Sequence, residues 1–236
     1  MERKTFLAAG ALVAALATDA CAKGGASELE FVETQSEFDY AGFVKVVERP
    51  GAAVHQLWDM DGYVPRALGA IKSAYNGYQF GYGIAPGSIA MVACLHGYAN
   101  AFAYNDAIWA KYKIGEAFGF KDPSGNVVAT NIFYHARSQP TTTADPNDGE
   151  SMYQDGTLEA LQRRGLNVLV CHTAAAEQAR TLVQAGAAPQ GITPPDVLKD
   201  LLANLMPGVT IVPSMVATVG ILQNRFKYAY TTVNVT

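Results

Sequence analysis

The sequence predicts a three-layer α/β sandwich in which a largely parallel sheet of five strands lies between two layers of helices. Segments of strand length alternate with segments of helical periodicity along most of the chain, which is typical of parallel sheets with crossover helices. Two strand segments, at residues 88–97 and 166–171, are almost continuously apolar, as expected for parallel strands covered on both faces. The chain has 236 residues, of which 50% are hydrophobic, and is long enough for one sizeable core.

The sequence of the first half of the domain predicts two strands and two helices. Alternating apolar side chains over residues 43–48 predict the first strand, which a Pro-Gly pair ends. Residues 63–82 carry apolar side chains at steps of three and four and predict a helix. The apolar strand over residues 88–97 follows, and aromatic side chains at helical spacing predict the next helix over residues 99–114.

The second half continues the alternation. A short helix over residues 157–165 ends at a glycine and leads into the strand over residues 166–171, which is followed by a helix over residues 173–185. Two prolines predict the first turn of a further helix over residues 194–205. The remaining predicted elements are a strand over residues 209–213, a helix over residues 215–224 and a last strand over residues 228–233.

The first residues of the chain are predicted to be an export signal. Residues 1–22 begin with a short cationic stretch, continue with an alanine- and leucine-rich run and end at small residues that suit a cleavage site. The pair Arg3-Lys4 resembles a twin-arginine export motif with lysine in the second place, and a general secretory signal fits as well. The apolar run is too short for an ordinary membrane span. We therefore expect a periplasmic protein that is either released or tethered by its N-terminus.

The predicted domain follows a linker and contains an insertion. Residues 23–38 are mostly small, polar and acidic and predict a linker. The α/β domain covers residues 39–236. Within it, residues 117–156 interrupt the alternation of strands and helices with a turn and a long polar loop, and we predict that they form an insertion.

The composition excludes several classes of function. The net charge is −4 and no block of lysine and arginine is present, so nucleic-acid binding has no electrostatic support. Neither a glycine-rich nucleotide-binding motif nor a Gly-x-Ser-x-Gly elbow occurs. The histidines and cysteines show none of the short spacings of zinc sites. We therefore expect neither a cofactor nor a bound metal.

Cys171 is the residue that most strongly suggests a chemical function. The apolar strand over residues 166–171 ends at this cysteine, and a helical segment begins within two residues. The carboxyl ends of strands are where open α/β folds build their binding sites. A helix N-terminus stabilises a thiolate, which is the nucleophilic form of cysteine. The residue types alone fit a small buried side chain equally well, because free cysteines are often buried.

Two histidines are predicted to lie near Cys171. Because side chains alternate along a strand, Cys94 and His96 share one face of the strand over residues 88–97, with His96 at its carboxyl end. If this strand and the next are neighbours, His96 joins Cys171 and His172 at one rim of the sheet. An imidazole beside a thiol favours the attacking thiolate. Alternatively, His96 satisfies backbone groups at a strand end and Cys94 is a packing residue.

Further polar and aromatic residues each leave two interpretations open. The polar side chains within residues 55–61 suit the mouth of a site, and they equally suit the start of a helix. The aromatic side chains within residues 75–82 suit the lining of a pocket or packing in a core or subunit interface.

Four segments of the chain resemble one known family in their order. The first is Met-Val-Ala-Cys-Leu-His-Gly at residues 91–97, and the second is Leu-Glu-Ala-Leu-Gln-Arg-Arg-Gly-Leu-Asn-Val-Leu-Val-Cys at residues 158–171. The third is Pro-Gly-Val-Thr-Ile-Val-Pro-Ser at residues 207–214, and the fourth is Ile-Leu-Gln-Asn-Arg-Phe-Lys-Tyr-Ala-Tyr at residues 221–230. Their succession resembles the DsrE/DsrF-like family and covers residues 43–233 apart from the predicted insertion.

The resemblance implies both a fold and a function. It implies a compact α/β sandwich with a five-stranded sheet, commonly assembled into homotrimers or hexamers. It also implies sulfur relay, in which a cysteine at the end of this strand carries a persulfide and passes it to a partner protein. Cys171 falls at that position. The chain departs from the sulfur-relay members in its export signal and in residues 117–156.

The residues and the resemblance together predict an exported persulfide carrier or sulfurtransferase. Its predicted site residues are Cys171, His172 and His96, and its predicted partners are a sulfur donor, a sulfur acceptor and further copies of the chain. A non-catalytic oligomeric binding module of the same fold is the alternative, and a metal-binding exported protein is a third interpretation.

Overall fold

Five parallel strands form one sheet in the order β4-β3-β2-β1-β5. Helices lie on both sides of this sheet, which confirms the predicted three-layer α/β sandwich. The strands are β1 (Val54–Met60), β2 (Ile89–Leu95), β3 (Leu166–Cys171), β4 (Val209–Val212) and β5 (Ala229–Thr232).

The computed structural model describes residues 38–122, 124–138 and 143–233. The predicted signal peptide, residues 1–22, lies outside the described residues, as does the predicted linker apart from its last residue, Phe38. Within the described part of the chain, no helix has the length and apolar character needed to cross a membrane.

The helices follow the strands in the predicted alternation. The predicted helix over residues 63–82 is shorter than expected, because it begins at Arg66 and passes into a π-helical turn, Gly77–Gly81. The α-helices of the described chain are α1 (Tyr40–Val47), α2 (Arg66–Asn76), α3 (Asp106–Lys111), α4 (Ile114–Phe118), α5 (Leu158–Arg163), α6 (His172–Gln184), α7 (Pro194–Ala203) and α8 (Met215–Asn224).

Each face of the sheet has its own set of helices. Met91, Ala93 and Leu95 of β2 belong to a core that includes residues of α2 and α5, and we call this side the α2 face. Val92 and Cys94 point to the opposite side, where α8 packs against β1 and β2, and we call this side the α8 face. α1 lies on the α8 face too, where its backbone accepts a hydrogen bond from a β3 side chain.

The segment over residues 119–157 contains no helix or regular strand in its described part, yet it is tied to the rest of the domain. Asn131 is buried, and its Nδ2 donates to the backbone oxygens of Phe102 and Tyr104, each at 2.8 Å. Asp155 accepts the backbone N–H groups of two residues earlier in the segment. That this segment is an insertion into a more compact fold stays a prediction.

The first predicted strand is wrong, because most of residues 43–48 belong to α1. Asp39 caps this helix, since its Oδ1 accepts the N–H of Gly42 at 2.7 Å. Phe43 and Val47 are the buried residues of the helix and stand four residues apart. This spacing places both on one helical face, and the short segment also carries the alternation that resembles a strand.

The first strand in the structure, Val54–Met60, covers the stretch that the sequence assigned to a site mouth or a helix start. Its polar side chains find partners on neighbouring elements. His55 Nε2 lies 3.2 Å from the backbone oxygen of Arg49, and Gln56 Nε2 donates to Thr231 Oγ1 at 2.8 Å. Because these polar side chains interrupt the apolar pattern, the sequence did not reveal the strand.

The predicted helix over residues 99–114 is also broken in the structure. It begins as a 3₁₀ helix, Gly97–Ala103, and the backbone is extended at Tyr104 and Asn105 before α3 starts. Asn105 caps α3, since its Oδ1 accepts the N–H of Ile108 at 3.0 Å. The aromatic spacing of the segment conceals this break.

Replacement of Leu57 tests the central place of β1. Leu57 is fully buried and pairs in register with Val92 on one side and Tyr230 on the other. We expect Leu57→Ala to lower the free energy of unfolding by about 2–5 kcal/mol, because the cavity it leaves is enclosed. Urea unfolding measures this loss. Val216→Ala, on the exposed side of α8, is the control and should change stability by less than about 0.5 kcal/mol. Equal losses in the two variants would contradict the assignment of β1 to the core.

Candidate functional site

The carboxyl ends of β1, β2 and β3 lie at one edge of the sheet and share the α8 face. Asp59 pairs in register with Cys94, which in turn pairs with a leucine of β3. Two residues further along these strands, on the same face, come Asp61, His96 and Cys171. The strand order reverses at this edge, because β5 joins β1 on the side opposite to β2. Open α/β sheets bind their ligands outside the carboxyl ends of their strands.

The sulfur of Cys171 lies where two helices begin. Cys171 ends β3 and caps α6, and its Sγ accepts the N–H of Ala174 at 3.4 Å. Sγ also accepts the N–H of Met215, the first residue of α8, at 3.3 Å. Two N–H donors and the positive ends of two helix dipoles thus face the sulfur, and both stabilise negative charge. Only 5% of Cys171 is exposed, so the sulfur is nearly closed off from solvent.

Asn100 fixes the backbone of Cys171 from the 3₁₀ helix Gly97–Ala103. Its Nδ2 donates to the backbone oxygen of Cys171 at 2.9 Å, and its Oδ1 accepts the N–H of Cys171 at 3.3 Å. Asn100 is fully buried. Thr173 donates both its N–H and its hydroxyl to the backbone oxygen of Pro213, at 3.3 and 2.9 Å. The end of β3 is therefore held both to the end of β2 and to the end of β4.

His172 directs its ring away from the thiol. It is the first residue of α6, and its ring packs edge to face against Phe38 with the centroids 5.3 Å apart. No hydrogen bond joins this ring to the sulfur of Cys171 in the described chain. The contact with Phe38 instead ties α6 to the residues that precede α1.

His96 lies between two carboxylates. Its Nε2 is 2.8 Å from Oδ1 of Asp59, and its Nδ1 is 3.2 Å from Oδ1 of Asp61. The hydrogen bond to Asp59 raises the pKa of His96 against the opposing effect of burial, and the charges of both carboxylates add to the rise. The contact with Asp59 is a hydrogen bond and the one with Asp61 an ion pair. A neutral imidazole carries one N–H, so only the protonated ring presents an N–H to each carboxylate.

Asp59 joins the ends of three strands. Besides its contact with His96, its Oδ2 accepts the hydroxyl of Tyr230 at 2.7 Å, and its backbone oxygen accepts the hydroxyl of Thr232 at 3.3 Å. Burial raises the pKa of Asp59, but the hydrogen bonds from His96 and Tyr230 outweigh it and hold this pKa below its usual value. The hydrogen bond to Asp59 in turn raises the pKa of Tyr230. We call Asp59, Asp61, His96 and Tyr230 the Asp–His cluster.

Gly97 makes room for Asp61. Its φ angle is +49°, and a Cβ at this position would overlap both the backbone oxygen and Oδ1 of Asp61. The backbone oxygen of Gly97 accepts a hydrogen bond from Gln178 Nε2 at 2.7 Å, which fixes the turn from α6. The absence of a side chain here therefore allows Asp61 to reach His96.

Cys94 is a packing residue. It is fully buried in the middle of β2, opposite Asp59. Burial, together with the nearby charge of Asp59, raises the pKa of the Cys94 thiol. Such a thiol is a poor nucleophile. Cys94 and Cys171 are both free, with no disulfide between them.

The three site residues predicted from the sequence lie at one edge of the sheet but do not form one group. Cys171 and His172 are consecutive, yet the sulfur faces the start of α8 and the imidazole faces Phe38. His96 follows the neighbouring strand and directs both ring nitrogens to carboxylates. That either histidine activates the thiol stays a prediction.

The sequence pointed only weakly to the other residues of this edge. Asp59 and Asp61 were part of the polar stretch over residues 55–61, where their spacing of two at the end of a strand was the available signal. Tyr230 lies in the predicted last strand over residues 228–233, where no pattern singled it out. Asn100 lies inside an aromatic segment and has no local signal, because its partner is 71 residues away in the chain.

The described residues contain no group of three or more histidine, cysteine, aspartate or glutamate side chains that is placed to hold a metal ion. Comparisons of the chain with protein-family models, with curated proteins and with solved structures find no match. The resemblance to the DsrE/DsrF-like family therefore depends on the four segments quoted above.

Removal of the Asn100 side chain tests how the end of β3 is held. In Asn100→Ala the backbone N–H and oxygen of Cys171 lose their partners while buried, so we expect a loss of about 1–3 kcal/mol in the free energy of unfolding. Urea unfolding measures it. Asn126→Ala removes an exposed asparagine and should stay within about 0.5 kcal/mol of the wild type. An Asn100→Ala variant as stable as this control would show that the two hydrogen bonds do not hold the strand end.

Proposed function

We propose that the protein is an exported carrier of sulfane sulfur that uses Cys171 as its acceptor thiol. The observation that carries the proposal is the position of Sγ, which accepts backbone N–H groups at the starts of both α6 and α8. The resemblance to DsrE/DsrF-like sulfur-relay proteins supports the same residue. The proposed partners are a sulfur donor, an acceptor with a free thiol and further copies of the chain.

The proposed reaction moves one sulfur atom between thiols without net oxidation. The Cys171 thiolate attacks the outer sulfur of a donor persulfide, R–S–SH. The S–S bond of the donor breaks, R–S⁻ leaves with the electron pair, and a new S–S bond forms on Cys171. An acceptor thiolate then attacks the outer sulfur of the Cys171 persulfide and restores the Cys171 thiolate. Protons lost and regained by the thiols exchange with solvent.

The N–H donors around Cys171 suit this chemistry because negative charge lies on its sulfur before the first step and after the second. Ala174 and Met215 direct their N–H groups at this charge. Asp59 and Asp61 lie at the same edge, but His96 is paired with both and offsets their repulsion of an anionic donor. Neither step needs a metal or a cofactor.

The small exposed area of Cys171 restricts the donor. With 5% of the residue exposed, a small inorganic polysulfide reaches the sulfur more readily than a bulky aromatic disulfide does. Rate constants for the two reagents, each divided by the value for free cysteine, measure this difference. The proposal expects the normalised rate for polysulfide to be the larger one.

A non-catalytic binding module is the second candidate function, and the burial of the sulfur favours it. In that function Sγ serves only to cap two helices. Phe80 and Tyr82, which are exposed at the π-helical turn, then provide an aromatic surface for a partner. The experiment below separates the two candidates.

Mass spectrometry of the protein after incubation with polysulfide tests the carrier function. All samples carry Cys21→Ser, so that Cys94 and Cys171 are the only thiols. We expect the mass of one added sulfur atom on the peptide that contains Cys171, and its loss after addition of a small acceptor thiol. Cys94→Ser is the matched control and keeps the modification, whereas Cys171→Ser loses it.

Circular dichroism and urea unfolding establish that the Cys171→Ser and Cys94→Ser variants are folded. An unmodified Cys171 in the folded protein, under conditions that convert free cysteine to its persulfide, would overturn the carrier proposal and leave the binding module. Persulfide on Cys171 that no acceptor thiol removes would also contradict a carrier, because the second step would then fail.

A further inference from the structure

The two carboxylates of the Asp–His cluster that face His96 both require an N–H from its ring, and a neutral histidine has only one N–H. Both ring nitrogens of His96 face carboxylate oxygens, Nε2 at 2.8 Å from Asp59 and Nδ1 at 3.2 Å from Asp61. A neutral ring has one N–H and one lone pair. If the ring loses its proton, one carboxylate therefore faces the lone pair of a ring nitrogen instead of an N–H. The attraction between that nitrogen and the carboxylate then becomes a repulsion. The cluster is complete only while His96 is a cation.

We infer that this cluster is a pH-dependent latch in which protonated His96 holds the turn formed by Asp61 and Gly62 against the end of β2, and loss of the proton releases that turn. The inference does not depend on the sulfur-carrier proposal, because Cys171 takes no part in the latch.

Asp61 is the carboxylate that leaves. Its side chain is 79% exposed and its contact with His96 is the longer of the two, whereas the side chain of Asp59 is 20% exposed and also accepts the Tyr230 hydroxyl. The remaining N–H of neutral His96 therefore stays with Asp59 on Nε2. The lone pair on Nδ1 then faces Oδ1 of Asp61, and solvent is available to take its place.

The released turn is short because both of its ends are fixed. Met60 precedes it as the last residue of β1, and its backbone oxygen accepts the N–H of His96 at 3.0 Å. Tyr63 follows the turn, and its ring stacks on Phe120 with the centroids 3.8 Å apart. Asp61 and Gly62 lie between these ends, and the backbone oxygen of Gly62 accepts the N–H of Val64 at 2.9 Å. The latch therefore changes one turn and leaves the fold intact.

Several titratable side chains surround His96, and two of them set its charge. The charges that act on His96 are those of Asp59 and Asp61. α8 packs over this face and contains no titratable residue. α6 also reaches this edge, through the hydrogen bond from Gln178 to Gly97. The other titratable groups on the packed elements are His55 of β1, Cys94 of β2, Cys171 of β3, Tyr230 of β5, Tyr98 of the 3₁₀ helix, and His172, Glu177 and Arg180 of α6.

The sign of the pH dependence follows from the direction of each shift. The pKa of His96 is raised in the folded protein, so its contribution to stability is complete below the ordinary value of about 6.5 and is lost as the pH rises through the raised pKa. The pKa of Asp59 is lowered, so its contribution is lost only when the pH falls through that lowered value. The latch therefore opens as the pH rises through the raised pKa of His96.

Movement of the latch changes what is exposed at the carboxyl ends of the strands. Asp61 and Gly62 directly follow the carboxyl end of β1, and open α/β sheets bind their ligands outside the carboxyl ends of their strands. The closed turn covers Gly97 with the backbone oxygen of Asp61. Opening as the pH rises through the raised pKa of His96 therefore uncovers the end of β2 and frees one carboxylate at this edge.

NMR titration of the His96 ring, combined with hydrogen exchange of the Val64 amide, tests the latch in the full chain, because this amide donates to the backbone oxygen of Gly62 at 2.9 Å. Between about pH 5 and about pH 9, we expect His96 to titrate above the ordinary value of about 6.5. Exchange at the Val64 amide, corrected for its intrinsic pH dependence, should rise at least about tenfold through the same midpoint as the turn opens.

Two variants and one control sharpen the test. Asp61→Asn should lower the His96 midpoint and remove the pH step in exchange, since the second carboxylate is gone. Gly97→Ala should displace the turn at every pH, because the new Cβ overlaps Asp61. His135→Gln is the matched control, since that exposed histidine faces a single carboxylate, Asp106, and it should change neither readout.

A His96 midpoint at or below about 6.5 would overturn the latch, as would an exchange profile in Asp61→Asn equal to that of the wild type. Thermal unfolding shows whether Gly97→Ala is folded. If it is not, Asp61→Asn decides the matter alone, because the Asp61 side chain is largely exposed and its loss leaves the core untouched.

Discussion

The register of the three central strands is the constraint on which the candidate site depends. Because β1, β2 and β3 are parallel and in step, their carboxyl ends meet at one edge and place side chains of the same parity on the α8 face. A slip of one residue in either pairing would turn Asp59, His96 or Cys171 toward the α2 face, into an apolar core. The buried strand residues that prevent such a slip are therefore also what assembles the polar edge.

The sulfur of Cys171 caps two helices and is also the proposed reactive atom. It completes the first turns of α6 and α8, and the same N–H groups that it satisfies are the ones that stabilise a thiolate. A cap of this kind keeps the sulfur in one place, and it also leaves little of it in contact with solvent. Any partner that reaches the sulfur must then compete with the helices for it.

The sequence was sufficient where burial alone decides the structure. The strands over residues 88–97 and 166–171, and the helix α6 that follows the second of them, were predicted because their apolar patterns are uninterrupted. The sequence was insufficient where polar side chains are satisfied at a distance. Gln56 is paired with Thr231, and Asn100 with Cys171, so neither β1 nor the tie between Asn100 and the end of β3 has a local signal.

The same reason explains how much of the candidate site was predicted. His96 and Cys171 were recognised because each ends an apolar strand. The role of His96 was not recognised, because it depends on Asp59 and Asp61, which lie in and directly after a strand that the sequence did not reveal. The prediction placed His96 next to a thiol, and the structure surrounds it with carboxylates.

The glycine at position 97 links two short stretches of sequence that lie far apart in the chain. Any chain of this fold with a larger residue there must move the Asp61 turn away, and with it the second partner of the histidine. The arrangement can therefore be recognised in a sequence by two features. They are an Asp-x-Asp pattern at the end of one strand, here Asp59 and Asp61, and a His-Gly pair at the end of the next, here His96 and Gly97. This sequence pattern separates related chains in which the Asp61 turn can contact the histidine from chains in which it cannot.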